Sequence, residues 1–181
     1  MDLEDLAAEE AKPKRLKSGD KGKRMERQLV AVLTERFGAG FSRSIGSGNR
    51  DKQVRFLPKH AQETFTGDLV CPVGFKWVFE CKGGYDDVDL HSAITSGNAI
   101  LDGFLKQALL EGGETGRSPM LCWKKTRKPW LAFVLRHELP TLKDDDYKNI
   151  LRYGDWAAVP LSDILKAPDS YFLEAESLPQ K

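Results

Sequence analysis

Past the first twenty residues, apolar positions recur at helical spacing. Met25, Leu29, Val30, Leu33 and Phe37 return every three or four residues, which is the period of one buried helical face. A helix is expected from about Lys21, capped by Ser18 or Asp20 and stopped by Gly38 and Gly40. Its stripe runs through Val30, Leu33 and Phe37, with Leu29 and Met25 beside it. Glu26 falls on the edge of that face, an odd position for a carboxylate that only meets solvent. Phe41 to Ile45 reads as a short strand, and the polar stretch from Gly46 to Thr66 is a connection long enough to carry function.

The period then shortens to two. Asp68 to Cys71 and Phe75 to Lys82 read as strands joined by a hairpin turn at Cys71-Pro72-Val73-Gly74. In the second strand Trp77, Phe79 and Cys81 share one face, while Lys76, Val78, Glu80 and Lys82 share the other. Gly83 to Thr95 reads as a loop. A helix is expected from about Gly97 to Glu111, capped by Ser96, with Ile100, Leu101, Phe104, Leu105, Ala108 and Leu109 as its apolar face and Gly112-Gly113 as its stop. Met120–Lys124 and Trp130–Arg136 form two further strands around a basic turn. A strand near Trp156–Val159, a helix at Ser162–Lys166 and a loose tail complete the chain. The fold class is α/β: helix, three-strand meander, helix, strand, with a mixed central sheet flanked by helices. Residues 1–17 are expected to be a mobile charged arm, 18–136 the core, and 137–181 an extension packed on it.

The 181 residues suffice for one domain with a real core. No apolar run approaches the roughly 20 residues of a membrane span, so no membrane partner is expected. Three scattered cysteines, Cys71, Cys81 and Cys122, form no disulfide framework and no zinc-ligand pair. A reducing, cytoplasmic setting fits. The net charge of +1 conceals strong segregation. Between Lys12 and Arg27, eight Lys/Arg oppose two acids, and between Arg36 and Lys59 six oppose one. Lys124-Lys125-Thr126-Arg127-Lys128 adds a third basic cluster. Such clusters suit a polyanion, because each neutralised phosphate releases counterions. Arg43, Arg50, Lys52 and Arg55 are candidate phosphate grips; the bland alternative is a solvated, unevenly charged surface.

If the hairpin forms, Asp68 lies beside the strand that displays Glu80 and Lys82. Two carboxylates that close repel unless a cation sits between them. Hard oxygen ligands suit Mg²⁺, with Mn²⁺ as a substitute, and such an ion polarises a phosphoryl group and acidifies a bound water. Lys82 could orient that water or offset charge in the transition state. Taken alone, Glu-x-Lys is common by chance. The preceding Gly67-Asp68, the apolar strand and Glu26 on the earlier helix give it meaning. Asp86, Asp87 and Asp89 read better as a solvated loop than as a second ion site.

Lys21-Gly22-x-x-x-Glu26-Arg27, Arg43-Ser44-x-Gly46-Ser47-Gly48, Gly67-Asp68 and Glu80-x-Lys82 occur in an order that resembles the archaeal-type Holliday junction resolvases. These belong to the PD-(D/E)xK nucleases, with a restriction-endonuclease-like core. The resemblance spans about Lys21 to Arg136. It implies metal-site roles for Glu26, Asp68, Glu80 and the Cys81 backbone carbonyl, a catalytic role for Lys82, and Ser47 near the scissile phosphate. Gln107 occupies the place of an active-site glutamine in related nucleases. The implied activity is Mg²⁺-dependent resolution of four-way DNA junctions by a homodimer, with Lys21, Arg27, Lys124 and Lys125 among the DNA contacts. The stretch before Asp68 is longer than the family pattern, and the arm before Lys21 and the residues after Arg136 have no counterpart. Those departures keep two alternatives open: a restriction-type or end-processing nuclease with the same core, and a non-catalytic DNA-binding module.

Overall fold

The computed structural model describes residues 18–44, 64–140 and 150–177. Helix α1, Ser18–Phe37, opens the fold with Asp20 in its first turn, where a negative charge meets the positive end of the helix dipole. It begins slightly earlier than the apolar pattern indicates. Leu29 and Leu33, one turn apart, are fully buried, whereas Val30 is only half-buried. The buried stripe is therefore rotated toward Glu26, which is 7% exposed. Gly38, at φ +87°, ends the helix, its N–H donating to the Thr34 carbonyl at 2.8 Å.

Strand β1, Ser42–Arg43, pairs antiparallel with β2, Leu69–Val70, in a small two-stranded sheet. The main sheet holds β3 (Trp77–Gly83), β4 (Ser118–Lys124), β5 (Leu131–Leu135), β6 (Leu151–Tyr153) and β7 (Trp156–Pro160) in the order β3-β4-β5-β7-β6. Only β3 and β4 run parallel, and the other pairs are antiparallel. A parallel pair needs a crossover, here α2 (Leu90–Ser96) and α3 (Ala99–Thr115). Two short helices, α4 (Leu161–Ile164) and α5 (Asp169–Phe172), follow β7.

The expected hairpin between Asp68–Cys71 and Phe75–Lys82 does not form as a ladder. One backbone–backbone bond joins the two segments, from the Asp68 N–H to the Phe79 carbonyl at 2.9 Å. At the start of β3 the C-terminal segment takes the edge instead: the Lys76 N–H donates to the Phe172 carbonyl at 2.8 Å, and Phe75 bridges Leu173. The described part of the expected tail, as far as Ser177, is packed on the core. Phe172 is fully buried and packs on Phe37 and Phe75. Arg36 clamps the same segment to α1, donating to the carbonyls of Leu165 and Ala167 and pairing with Asp169 at 2.7 Å.

The expected loop from Gly83 to Thr95 contains α2. Asp89 caps it, accepting from the N–H groups of His91 and Ser92. Seven residues that bury only Ala93 leave too little periodicity to detect. Helix α3 is capped by Asn98 rather than Ser96 and runs through Gly112-Gly113 to Thr115. A Cβ at Gly112 would lie 3.0 Å from the Arg117 carbonyl oxygen and 3.1 Å from the Pro119 ring. The glycine permits close packing there instead of stopping the helix. Along α3, Leu101, Leu105 and Ala108 are buried, while Ile100 and Leu109 are about half exposed.

The sheet buries both faces. Trp77, Phe79 and Cys81 join Leu29, Leu33 and Phe172 on the α1 side. Leu121, Trp123 and Phe133 meet Leu101, Leu105 and Ala108 on the α3 side. The alternation expected along β3 is therefore present, with an apolar layer on either side.

Two substitutions probe this arrangement. Phe172→Ala removes a fully buried ring and is expected to cost about 3–5 kcal/mol, read as a lowered urea midpoint with an unchanged slope. Gly67 has φ +85°, and a Cβ there would meet Val78 Cγ2 at 2.7 Å and the Phe79 carbonyl oxygen at 3.0 Å. Gly67→Ala is expected to cost about 1–3 kcal/mol, read by thermal denaturation.

Candidate active site

Asp68 is held from three directions. Its N–H donates to the Phe79 carbonyl, its own carbonyl accepts the Ser44 N–H at 2.9 Å, and its Oδ2 accepts the Cys81 N–H at 2.8 Å. Ser44 is in turn fixed by donating its hydroxyl to the Phe65 carbonyl at 2.7 Å. Along β3, the Lys76 carbonyl accepts the Ser118 N–H of β4, and in that register residues 78, 80 and 82 direct their backbone groups toward β4. Phe79 and Cys81 direct theirs to the other edge. The Cys81 carbonyl thus leaves the strand on the side where the Asp68 carboxylate stands.

Glu80 and Lys82 emerge from the α3 face of β3. Glu80 is 1% exposed. Its Oε1 forms an ion pair with Lys82 Nζ, and its Oε2 accepts from Gln107 Nε2 at 2.9 Å. Gln107 closes the ring, its Oε1 accepting from Lys82 Nζ at 3.1 Å. Its amide nitrogen also donates to Glu111 Oε1 at 3.2 Å. Glu111, 6% exposed, is a member of this site that sequence reasoning missed. It occupies a core position of α3 and reads as the last residue of an apolar stripe. The usable signal was its spacing of four from Gln107.

Burial dominates the electrostatics. Desolvation, then the neighbouring charges of Asp68 and Glu111, pushes the Glu80 carboxyl up to about 9. Asp68 is also raised, because desolvation outweighs the Cys81 N–H and the Lys82 charge. Burial by itself would depress the Lys82 ammonium, yet pairing with Glu80 raises it on balance. The charge of Asp68 discourages ionisation of Glu80, a conflict that a cation relieves. Among the described residues, no group of three or more His, Cys, Asp or Glu side chains is arranged to hold an ion. Mg²⁺ does not need one, since it keeps most of its waters and takes one or two carboxylates. Asp68, Glu80 and the Cys81 carbonyl are hard oxygen donors that fit this requirement.

Glu26 reaches toward the site from α1, near enough to act on Asp68. Its Oε2 accepts from Arg43 Nε at 2.5 Å, so the Arg43 guanidinium lies against the protein's own carboxylate. Lys21 and Arg27 are exposed on α1. Lys124 contacts Gln28 and lies 5.5 Å from the Trp130 ring centroid, while Lys125 donates to the Val88 carbonyl at 2.6 Å. The tip of that turn presents Arg127 and Lys128 to solvent instead, two cations the sequence reading did not single out. Asp86 anchors the turn by accepting from the Thr126 N–H and hydroxyl, and Lys21 is close enough to act on it. The three cysteines are free and buried, and burial pushes the Cys71 thiol up to about 12. Ser47, Arg50, Lys52 and Arg55 lie outside the described residues.

No helix among the described residues is long and apolar enough to cross a membrane. Among solved structures, the chain is similar to the Hjc Holliday junction resolvase of Archaeoglobus fulgidus. The match covers 80% of this chain and 87% of that one at 16% identity and a TM-score of 0.36, a distant likeness only. Protein D14 of Escherichia phage T5 is 32% identical over 118 residues, 63% of this chain and 68% of the phage protein. A family model described as "Phage putative PDDEXK endonuclease" matches residues 17–153. That span includes α1, the Asp68 turn, all of β3 and Gln107, so the chain belongs to this family and is a nuclease of the PD-(D/E)xK type.

Proposed function

We propose that the protein is a structure-selective DNA endonuclease that resolves four-way junctions by Mg²⁺-dependent phosphodiester hydrolysis. The observation that carries the chemistry is the meeting of Asp68 with Glu80 and Lys82 at one end of β3. The junction preference rests on the order of motifs along the sequence, from Lys21-Gly22 through Gly46-Ser47-Gly48 to Glu80-x-Lys82.

In this reading Asp68, Glu80 and the Cys81 carbonyl hold the metal ion, with Glu26 joining directly or through water. When bound, the ion polarises the phosphoryl oxygen and acidifies a water. Lys82 keeps a positive charge beside the reacting phosphate, where it offsets charge developing in the transition state. Gln107 steadies both partners by donating to Glu80 and accepting from Lys82. By its place in the Gly46-Ser47-Gly48 motif, Ser47 is assigned to the scissile phosphate. The basic residues Lys21, Arg27, Arg43, Arg50, Lys52, Arg55, Lys124 and Lys125 serve the nucleic acid. Arg127 and Lys128 join them as direct phosphate contacts, because their charges stand clear at the turn. Two symmetric incisions require two active sites, and a homodimer supplies them.

The deciding experiment sets a labelled four-way junction beside a linear duplex of matched sequence, with Mg²⁺. Paired cuts in the junction alone support the proposal. Equal cutting of both substrates makes the protein a general or sequence-directed nuclease, and tight binding without cutting makes it a binding module. Asp68→Asn and Lys82→Ala are each expected to lower cleavage roughly 100-fold or more while leaving junction affinity in EDTA unchanged; undiminished cleavage by either removes that residue from the site. The paired change Arg127→Ala with Lys128→Ala is expected to reduce the slope of log affinity against log salt by about 1–2, and an unaltered slope would place the phosphate contacts elsewhere.

A further inference from the structure

Glu111 stands in a position that the rest of α3 reserves for small or aliphatic side chains. Leu101, Leu105, Ala108 and Gly112 make up the buried stripe around it. A carboxylate there is costly to bury, and stability alone would favour leucine. Its placement has a chemical consequence one turn earlier. The Gln107 side chain begins at an exposed helix position, where a flexible amide has many rotamers open to it. Both of its ends are nevertheless engaged: Nε2 with Glu80 and Glu111, Oε1 with Lys82. An amide has one donor end and one acceptor end. Reversed, it would set its oxygen against two carboxylates and its NH₂ against an ammonium. Glu80 and Lys82 favour the observed orientation, and Glu111 holds the remaining N–H.

We propose that Glu111 is a positioning residue, which orients Gln107 and through it fixes Glu80 and Lys82 in the arrangement used for cleavage. The inference rests on the nuclease reading of Asp68, Glu80 and Lys82. It adds a residue whose hydrogen bond reaches the site through the Gln107 amide, beside the direct effect of its charge on Glu80. Outer partners of this kind govern metal affinity and turnover through the groups they hold.

Two substitutions separate the hydrogen bond from the charge. Glu111→Gln removes the charge and keeps an oxygen acceptor for Gln107, whereas Glu111→Leu removes both. The measurements are kcat and KM on a labelled four-way DNA junction, Mn²⁺ affinity by electron paramagnetic resonance without DNA, and the urea midpoint. For Glu111→Leu we expect kcat and Mn²⁺ affinity each to fall roughly 10-fold, with KM and the urea midpoint maintained. Glu111→Gln is expected to stay within about 3-fold of the parent in both quantities. In a Gln107→Leu background, Glu111→Leu is expected to add no further loss, as coupling through the amide requires. If the leucine variant does not fold, Glu111→Met takes its place in every comparison.

Parent-like turnover in Glu111→Leu overturns the proposal. So do equal losses in the glutamine and leucine variants, which would assign the effect to charge, and additive losses with Gln107→Leu. Asp68→Asn, run alongside, distinguishes the two levels: if it too cuts like the parent, the reading of the active site fails and the positioning role fails with it.

Discussion

A buried Glu80 and a half-buried Asp68 stand close enough for the charge of Asp68 to disturb the ionisation of Glu80, and most of the surrounding structure can be understood as a response to that. Desolvation raises both Asp68 and Glu80; the charge of Glu26 adds to the first, and those of Asp68 and Glu111 to the second. In a medium of low dielectric such crowding is tolerable only with fixed compensating charge and hydrogen-bond donors. The chain provides them at short range: Lys82 against Glu80, the Cys81 N–H on Asp68, and Gln107 on Glu80. Arg43 pairs with Glu26, whose charge acts on Asp68. What remains unbalanced suits a hard divalent ion.

Holding such a site requires a rigid frame, because a small displacement of either carboxylate changes the chemistry steeply. The frame is β3, an outer strand of the sheet with apolar layers on both faces. Its free edge is what allows the Asp68 turn to reach the Cys81 N–H. Gly67 permits that turn to lie directly on Val78 and Phe79. The parallel pairing of β3 with β4 forces a helical crossover, and this places α3, with Gln107 and Glu111, over the same strand. Topology and chemistry are therefore linked: an antiparallel hairpin in place of the crossover would leave no helix to carry the amide.

The residues after Arg136 contribute to that frame directly. They extend the sheet through β7 and β6 and send Phe172 into the core against Phe37 and Phe75. Arg36 ties the segment to the helix that bears Glu26. At the opposite end of α1, Lys21 approaches Asp86 and the basic turn. Positive charge from two separate stretches of sequence, α1 and the basic turn, thus meets around Asp86.

The sequence by itself determined the local features. The 3.6-residue period of Met25 to Phe37 locates α1, the strict alternation of Trp77 to Lys82 separates the α1 side of β3 from its α3 side, and the Gly67-Asp68 and Glu80-x-Lys82 pattern picks out residues that meet at one end of β3. These are legible because burial of one face imposes a period on neighbouring residues. Only the tertiary structure decided who partners whom. It paired β2 with β1 rather than β3, set the Phe172 carbonyl on Lys76, turned Arg43 to Glu26, and left Arg127 and Lys128 exposed where Lys124 and Lys125 are engaged. Glu111 belongs to the same class, since its spacing of four from Gln107 marks a neighbour on the helix but not the amide bond between them. Periodicity reports how each residue stands toward its own backbone, whereas hydrogen-bond partners are chosen across long loops, by the three-dimensional competition for each buried donor and acceptor.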